Sequence, residues 1–103
     1  MDRFEKSLKK TDIEQKLAVK TEFVTSNGLV NGAELAVTDF STSLRRRYTF
    51  ELSILGGGYK KPVFQFRVWQ QFVRDNGLRL GDIIEFWKED NETYGIRATR
   101  KYL

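Results

Sequence analysis

The sequence predicts a mainly β domain of seven short strands, a barrel or a sandwich, with two helical pieces. Three observations carry that reading. Turn signals recur every few residues, the runs between them alternate apolar with polar side chains, and two stretches alone have helical spacing. The turn signals are Asn27-Gly28, Asn31-Gly32, Gly56-Gly57-Gly58, Asn76-Gly77 and Gly81, with Pro62 the sole proline in 103 residues. No repeat, low-complexity tract or linker divides the chain, so residues 1–103 read as one domain.

Residues 4–8 make the first run, and 16–20 the second, with Leu17 and Val19 on one face. Residues 33–39 turn Leu35 and Val37 inward. Residues 48–54 alternate most cleanly, Tyr48, Phe50, Leu52 and Ile54 sharing a face. Residues 63–66, 82–88 and 94–99 complete the set. Between the first two runs, Thr11-Asp12-Ile13-Glu14 has capping-box spacing, with Thr11 as cap and Glu14 reaching back over one helical turn. Residues 68–77 make the longer helix. Val68 with Phe72, and Trp69 with Val73, are i,i+4 pairs on one face, and Gly77 supplies the left-handed stop.

Composition narrows the function. The chain is 40% hydrophobic and 14% aromatic, richer in aromatics than disordered chains are. No apolar run approaches the roughly 18 residues of a membrane span, and Met1-Asp2-Arg3-Phe4-Glu5-Lys6 does not open a signal peptide. A soluble intracellular domain with no membrane partner is expected. The absence of cysteine and histidine excludes disulfides, zinc–thiolate sites and Ser-His or Cys-His catalysis. Lysine, arginine, amides, hydroxyls and aromatics remain, which serve binding more than catalysis.

The net charge of +4 is unevenly placed. Residues 1–20 carry +2, 21–43 carry −3 without one basic residue, 44–68 carry +5, and 69–103 balance. If folding joins the two basic segments, they make a face that attracts phosphate. Within them, Lys9-Lys10-Thr11-Asp12 with Gln15-Lys16 is one basic connection, and Gly56-Gly57-Gly58-Tyr59-Lys60-Lys61 is another. The glycines permit close approach to a ligand while Tyr59, Lys60 and Lys61 touch phosphate or base. Arg45-Arg46-Arg47 reads as a charged start to a strand.

Two constellations fail as metal sites. Asp82, Glu85 and Lys88 resemble a nuclease set, but strand alternation puts Glu85 and Lys88 on opposite faces. Asp90-Asn91-Glu92-Thr93-Tyr94-Gly95 loosely follows a calcium loop, yet its twelfth position is Lys101 where a bidentate Glu is required. It reads as a tight turn. No metal, cofactor or catalytic residue is expected.

The order of elements resembles a known family. Phe4-Glu5-Lys6-x-Leu8, Thr11-Asp12-Ile13 and Lys16-Leu17-x-Val19 resemble the opening of the plant B3 DNA-binding domain. Trp69-Gln70-Gln71-Phe72-Val73, followed by Asn76-Gly77-Leu78-x-x-Gly81-Asp82-Ile83-Ile84-x-Phe86, resembles that family's helix and its Leu-x-x-Gly-Asp-x-x-x-Phe strand, and is the more specific block. The resemblance implies a seven-stranded open β-barrel, a pseudobarrel, with two short helices. It further implies a nuclear, non-enzymatic transcription-factor domain, monomeric, that lays two arms into the major groove of double-stranded DNA.

Carried onto this chain, the first arm is Lys9, Lys10, Thr11, Asp12, Gln15, Lys16 and Lys20. The second is residues 56–61, with Gly57, Gly58, Tyr59, Lys60 and Lys61 as contacts. The chain departs from the family pattern at Lys20, where proline is usual, at Val68, where glycine is usual, and at Tyr48, where tryptophan is usual. Its triple glycine is also unusual. Two other readings stand beside this one: a barrel for single-stranded nucleic acid with Tyr59 as a stacking platform, and a protein-interaction domain on the same scaffold.

Overall fold

Strand alternation decides which side chains leave water, and it does so over seven segments. The computed structural model describes residues 2–55 and 61–100. The chain runs β1 (Arg3–Ser7), α1 (Lys10–Glu14), β2 (Leu17–Ala18), α2 (Thr21–Ser26), β3 (Glu34–Asp39) and β4 (Arg47–Leu55). It continues through β5 (Lys61–Phe64), α3 (Phe66–Asn76), β6 (Ile83–Lys88) and β7 (Thr93–Thr99). In β4, Tyr48, Phe50 and Leu52 are buried while Arg47, Thr49 and Glu51 face out.

The strands form one sheet in the order β1-β6-β7-β3-β4-β5-β2. All neighbours are antiparallel except β3 and β7, which pair in parallel with Val37 opposite Tyr94. The register lines up inward residues across the sheet: Phe4 with Phe86, Phe86 with Ile96, Leu35 with Phe50, Leu52 with Phe64, and Phe64 with Leu17. The first two strands of the chain thus occupy opposite edges. The sheet curls until those edges approach, and the Lys6 ammonium on β1 donates to the Ala18 carbonyl on β2 at 3.3 Å. No ladder joins β1 to β2 among the described residues, so the barrel is open.

Aromatic rings fill it. Phe23 of α2 meets Phe4, Phe86 and Tyr94 at ring-centroid distances of 5.2, 5.5 and 6.3 Å. Trp69 and Phe72 of α3 meet Phe50 at 6.2 Å each. Phe64 joins the two groups, 5.0 Å from Phe50 and 5.1 Å from Phe86. Edge-on and tilted pairs dominate, the arrangement that the ring quadrupoles favour. Both α2 and α3 therefore drive aromatic side chains into the barrel.

The three helices differ from the two expected. Thr21-Glu22-Phe23-Val24-Thr25-Ser26 is poor in helix formers, and burial of Phe23 and Val24 overrides that local preference. The first helix also starts two residues earlier than expected, with Lys9 at its cap. Asp12 rather than Glu14 reaches back, accepting from the Lys9 N–H at 2.9 Å, and Thr11 lies inside the turn. Phe66, expected at the end of a strand, is instead the first residue of α3 and half exposed. α3 does end at Gly77, whose φ of 58° allows the Leu78 N–H to reach the Val73 carbonyl at 3.0 Å.

Trp87 points outward, opposite Gly95, and a Cβ on Gly95 would overlap its indole ring. At the far end of α3 the Tyr48 hydroxyl donates to Asp75 Oδ2 at 2.6 Å. Burial above all, and then that carboxylate, push the Tyr48 hydroxyl pKa far up, so it stays protonated. Replacing Phe23 by Ala should cost about 3–5 kcal/mol in urea denaturation, the usual range for an emptied aromatic site. A loss below about 1 kcal/mol would mean that α2 does not plug the barrel.

Candidate nucleic-acid interface

The connection from β1 to β2 crosses from one sheet edge to the other, and its backbone is held from beneath. Asp12 is 2% exposed. Its Oδ1 accepts from Lys6 Nζ at 2.8 Å and its Oδ2 from the Lys9 backbone. The Trp69 indole N–H donates to the Asp12 carbonyl at 2.7 Å. The Gln70 amide donates to the carbonyls of Ile13 and Gln15 at 2.7 and 3.0 Å. Five hydrogen bonds, donated by Lys6 of β1, the Lys9 backbone and two side chains of α3, thus use the inner side of the arm.

The outer side is left to the cations. Lys9, Lys10, Thr11, Gln15, Lys16 and Lys20 are all exposed, and none of the four lysines lies in an ion pair among the described residues. Glu14 is the one exposed carboxylate between residues 9 and 20. Asp12, read from sequence as a contact residue, is a correction: its carboxylate is buried on Lys6, so it shapes the arm and presents nothing outward.

Gly57, Gly58, Tyr59 and Lys60 lie outside the described residues. The base of that connection is defined by Leu55 opposite Lys61. Lys61 opens β5 with its side chain exposed. β5 also pairs with β2, and the Val19 N–H donates to the Pro62 carbonyl at 2.9 Å. That bond sets Lys20, the last cation of the first arm, beside Lys61, the first described residue after the second. Residues 20 and 61, one from each basic segment of the sequence, therefore adjoin where the chain leaves the β2–β5 pair.

The remaining acidic candidates hold structure. Asp82 is buried and accepts from the Arg79 N–H at 2.8 Å. Glu85 faces out between Arg3 and Arg97. Asp90 Oδ1 accepts from the N–H groups of Glu92 and Thr93 at 2.8 Å each, which hold its carboxyl below the usual carboxylate range. This is the tight turn expected between the last two strands.

Sequence reading missed three residues that position the arm: Lys6, Trp69 and Gln70. Trp69 reads as a core aromatic, and it is one, with its N–H spent on the arm. Gln70 carried a usable signal, an amide beside the apolar face of a helix, which needs hydrogen-bond partners once buried.

No family model and no curated protein matches the chain. Among solved structures it is similar to the Arabidopsis FUS3–DNA complex, with a TM-score of 0.78 and 21% identity over 94% of this chain and 95% of that one. It is similar to the Arabidopsis thaliana transcription factor LEC2–DNA complex, at 0.76 and 17%, over 94% and 91%. A hypothetical Arabidopsis thaliana protein aligns at 0.72 and 21%, over 98% and 92%.

Exchanging Lys6 for Met should cost about 3 kcal/mol, because it strands the buried Asp12 charge. Adding Asp12→Asn to that variant should recover part of the loss. Urea denaturation of the two single variants and the double variant reads the coupling, and strictly additive losses would mean that the pair does not hold the arm.

Proposed function

We propose that this chain, which has the fold of B3 domains, is a double-stranded DNA-binding domain of a transcription factor acting in the nucleus, without enzymatic activity. The observation that carries the reading is the first arm, whose inner side is hydrogen-bonded to the barrel and whose outer side offers lysines that form no ion pair among the described residues. An arm so held loses little conformational freedom on meeting a duplex. Its lysines neutralise phosphates, which supplies affinity, and Gln15 and Lys16 reach base edges in the major groove, which supplies sequence preference.

Residues 56–61 make the second arm. Their glycines let the backbone approach the groove, and Tyr59, Lys60 and Lys61 make its contacts. The solved DNA complexes of FUS3 and LEC2, similar in fold, support this reading.

Affinity for random duplex and for single strands, measured across salt, tests it. With about four to six phosphates neutralised, log affinity for duplex should fall against log salt with a slope of roughly −4 to −5. Undetectable duplex binding at low salt, or tighter binding of single strands, would sink the proposal. Changing Lys9 and Lys10 together to Ala should weaken binding to every duplex alike and reduce the slope by about 2. Lys60→Glu with Lys61→Glu should abolish binding while the circular dichroism spectrum stays that of the parent. Parental affinity in that variant would show that the second arm is wrongly assigned.

A further inference from the structure

The outer face of the β3–β4 ribbon carries its own charge pattern. Three rungs face outward. At one end Arg47 stands opposite Thr38, in the middle Thr49 stands opposite Ala36, and at the other end Glu51 stands opposite Glu34. Arg47, Ala36, Thr49, Glu34 and Glu51 are exposed.

Neither end forms an ion pair among the described residues. Glu34 and Glu51 are like charges directly across a strand pair, a repulsive arrangement. Arg67 stands at the rim of that end, yet no ion pair forms there or at Arg47 among the described residues. Between the ends the surface is hollow. A depression of about 340 Å³ lies over Ala36, Thr38, Thr49 and Thr93 beside Arg47, and a second of about 380 Å³ lies over the glutamates. Thr49 lines both.

We propose that this face is a self-association surface for a second copy of the chain, with a two-fold axis at the Thr49–Ala36 rung. Such an axis exchanges the two ends. Arg47 of each copy falls on Glu51 and Glu34 of the other, and the Thr38 hydroxyl donates to a carboxylate there. Arg47 and Glu51 lie four residues apart, about 13 Å along the strand, with Thr49 midway. The pattern is therefore its own complement under a two-fold rotation, as an isologous contact requires. The small middle rung lets the ribbons approach without a side chain between them. A second copy also removes the glutamate repulsion that the single chain carries.

Three outward rungs cover less than the roughly 800 Å² per partner of a stable complex, so the dimer is transient and salt-sensitive. The monomer expected from sequence exchanges with it.

Sedimentation of the whole chain without DNA, at concentrations up to about 1 mM, tests the proposal. The weight-average mass of the parent should rise with concentration at low salt and fall back as salt is raised. Arg47→Glu and Glu51→Arg should each weaken self-association at least about tenfold, since each variant sets like charges at both 47–51 contacts of the dimer. Mixed in equal amounts, the two variants should associate more tightly than either does alone, because both contacts between positions 47 and 51 are again opposite in charge. Arg47→Gln and Glu51→Gln, without new charge, should each weaken association by a smaller factor. A parent that stays monomeric throughout overturns the proposal. So does a mixture no tighter than its components, or an Arg47→Glu variant whose self-association is unchanged. Because the assay contains no DNA, its failure leaves the duplex-binding reading standing.

Discussion

The ion pair between Lys6 and Asp12 closes a barrel that its backbone leaves open. β1 and β2 are the two free edges of one curled sheet, and no ladder joins them among the described residues. Lys6 bridges that gap, giving one hydrogen to the Asp12 carboxylate and another to the Ala18 carbonyl. A buried carboxylate without a cation costs several kcal/mol, so the pair is held firmly once Asp12 is enclosed. The same carboxylate caps α1 and thereby sets the course of the first arm. Closure of the barrel and shape of the arm are therefore one event.

α3 couples this seam to the core. Its Trp69 ring packs on Phe50 and Phe72 while the indole N–H holds the Asp12 carbonyl. Gln70, next in sequence, holds two further carbonyls of the arm. A shift of α3 on the aromatic core would move the arm with it. At its other end α3 grips the loop end of the β3–β4 pair through Asp75 with Tyr48 and Asn76 with Asp39. The helix is thus a strut between the surface assigned to DNA and one end of the ribbon assigned to a second copy.

Much of this was legible in the sequence, for physical reasons. Tyr48, Phe50 and Leu52 alternate with polar residues, and a half-buried strand demands that period. Gly77 marks a helix end because a left-handed residue is needed there. The cations of the first arm were visible as a charge run. What escaped depends on contacts far apart in the chain. Nothing local makes 21–26 helical except the depth of Phe23 in the barrel. Asp12 looked like a ligand contact because its partner Lys6 lies on another element. Nothing near Trp87 in the sequence showed that the bare Gly95 across the ladder gives its ring room on the outer surface.

The position of β7 has a consequence for how the domain reaches this state. It is the last strand in the chain yet sits inside the sheet, between β6 and β3. β1, the first strand, meets its partner only when β6 has been made, and Phe4 then pairs with Phe86. Contacts so distant in sequence place the domain among slow folders, since long loops must close before any pairing rewards them. A growing chain cannot assemble the sheet from its front end. Until residues near 99 have emerged, β3 and β6 have no common neighbour and Lys6 has no seam to close. Within the domain, the arm is synthesised before the strands it depends on and takes shape after them.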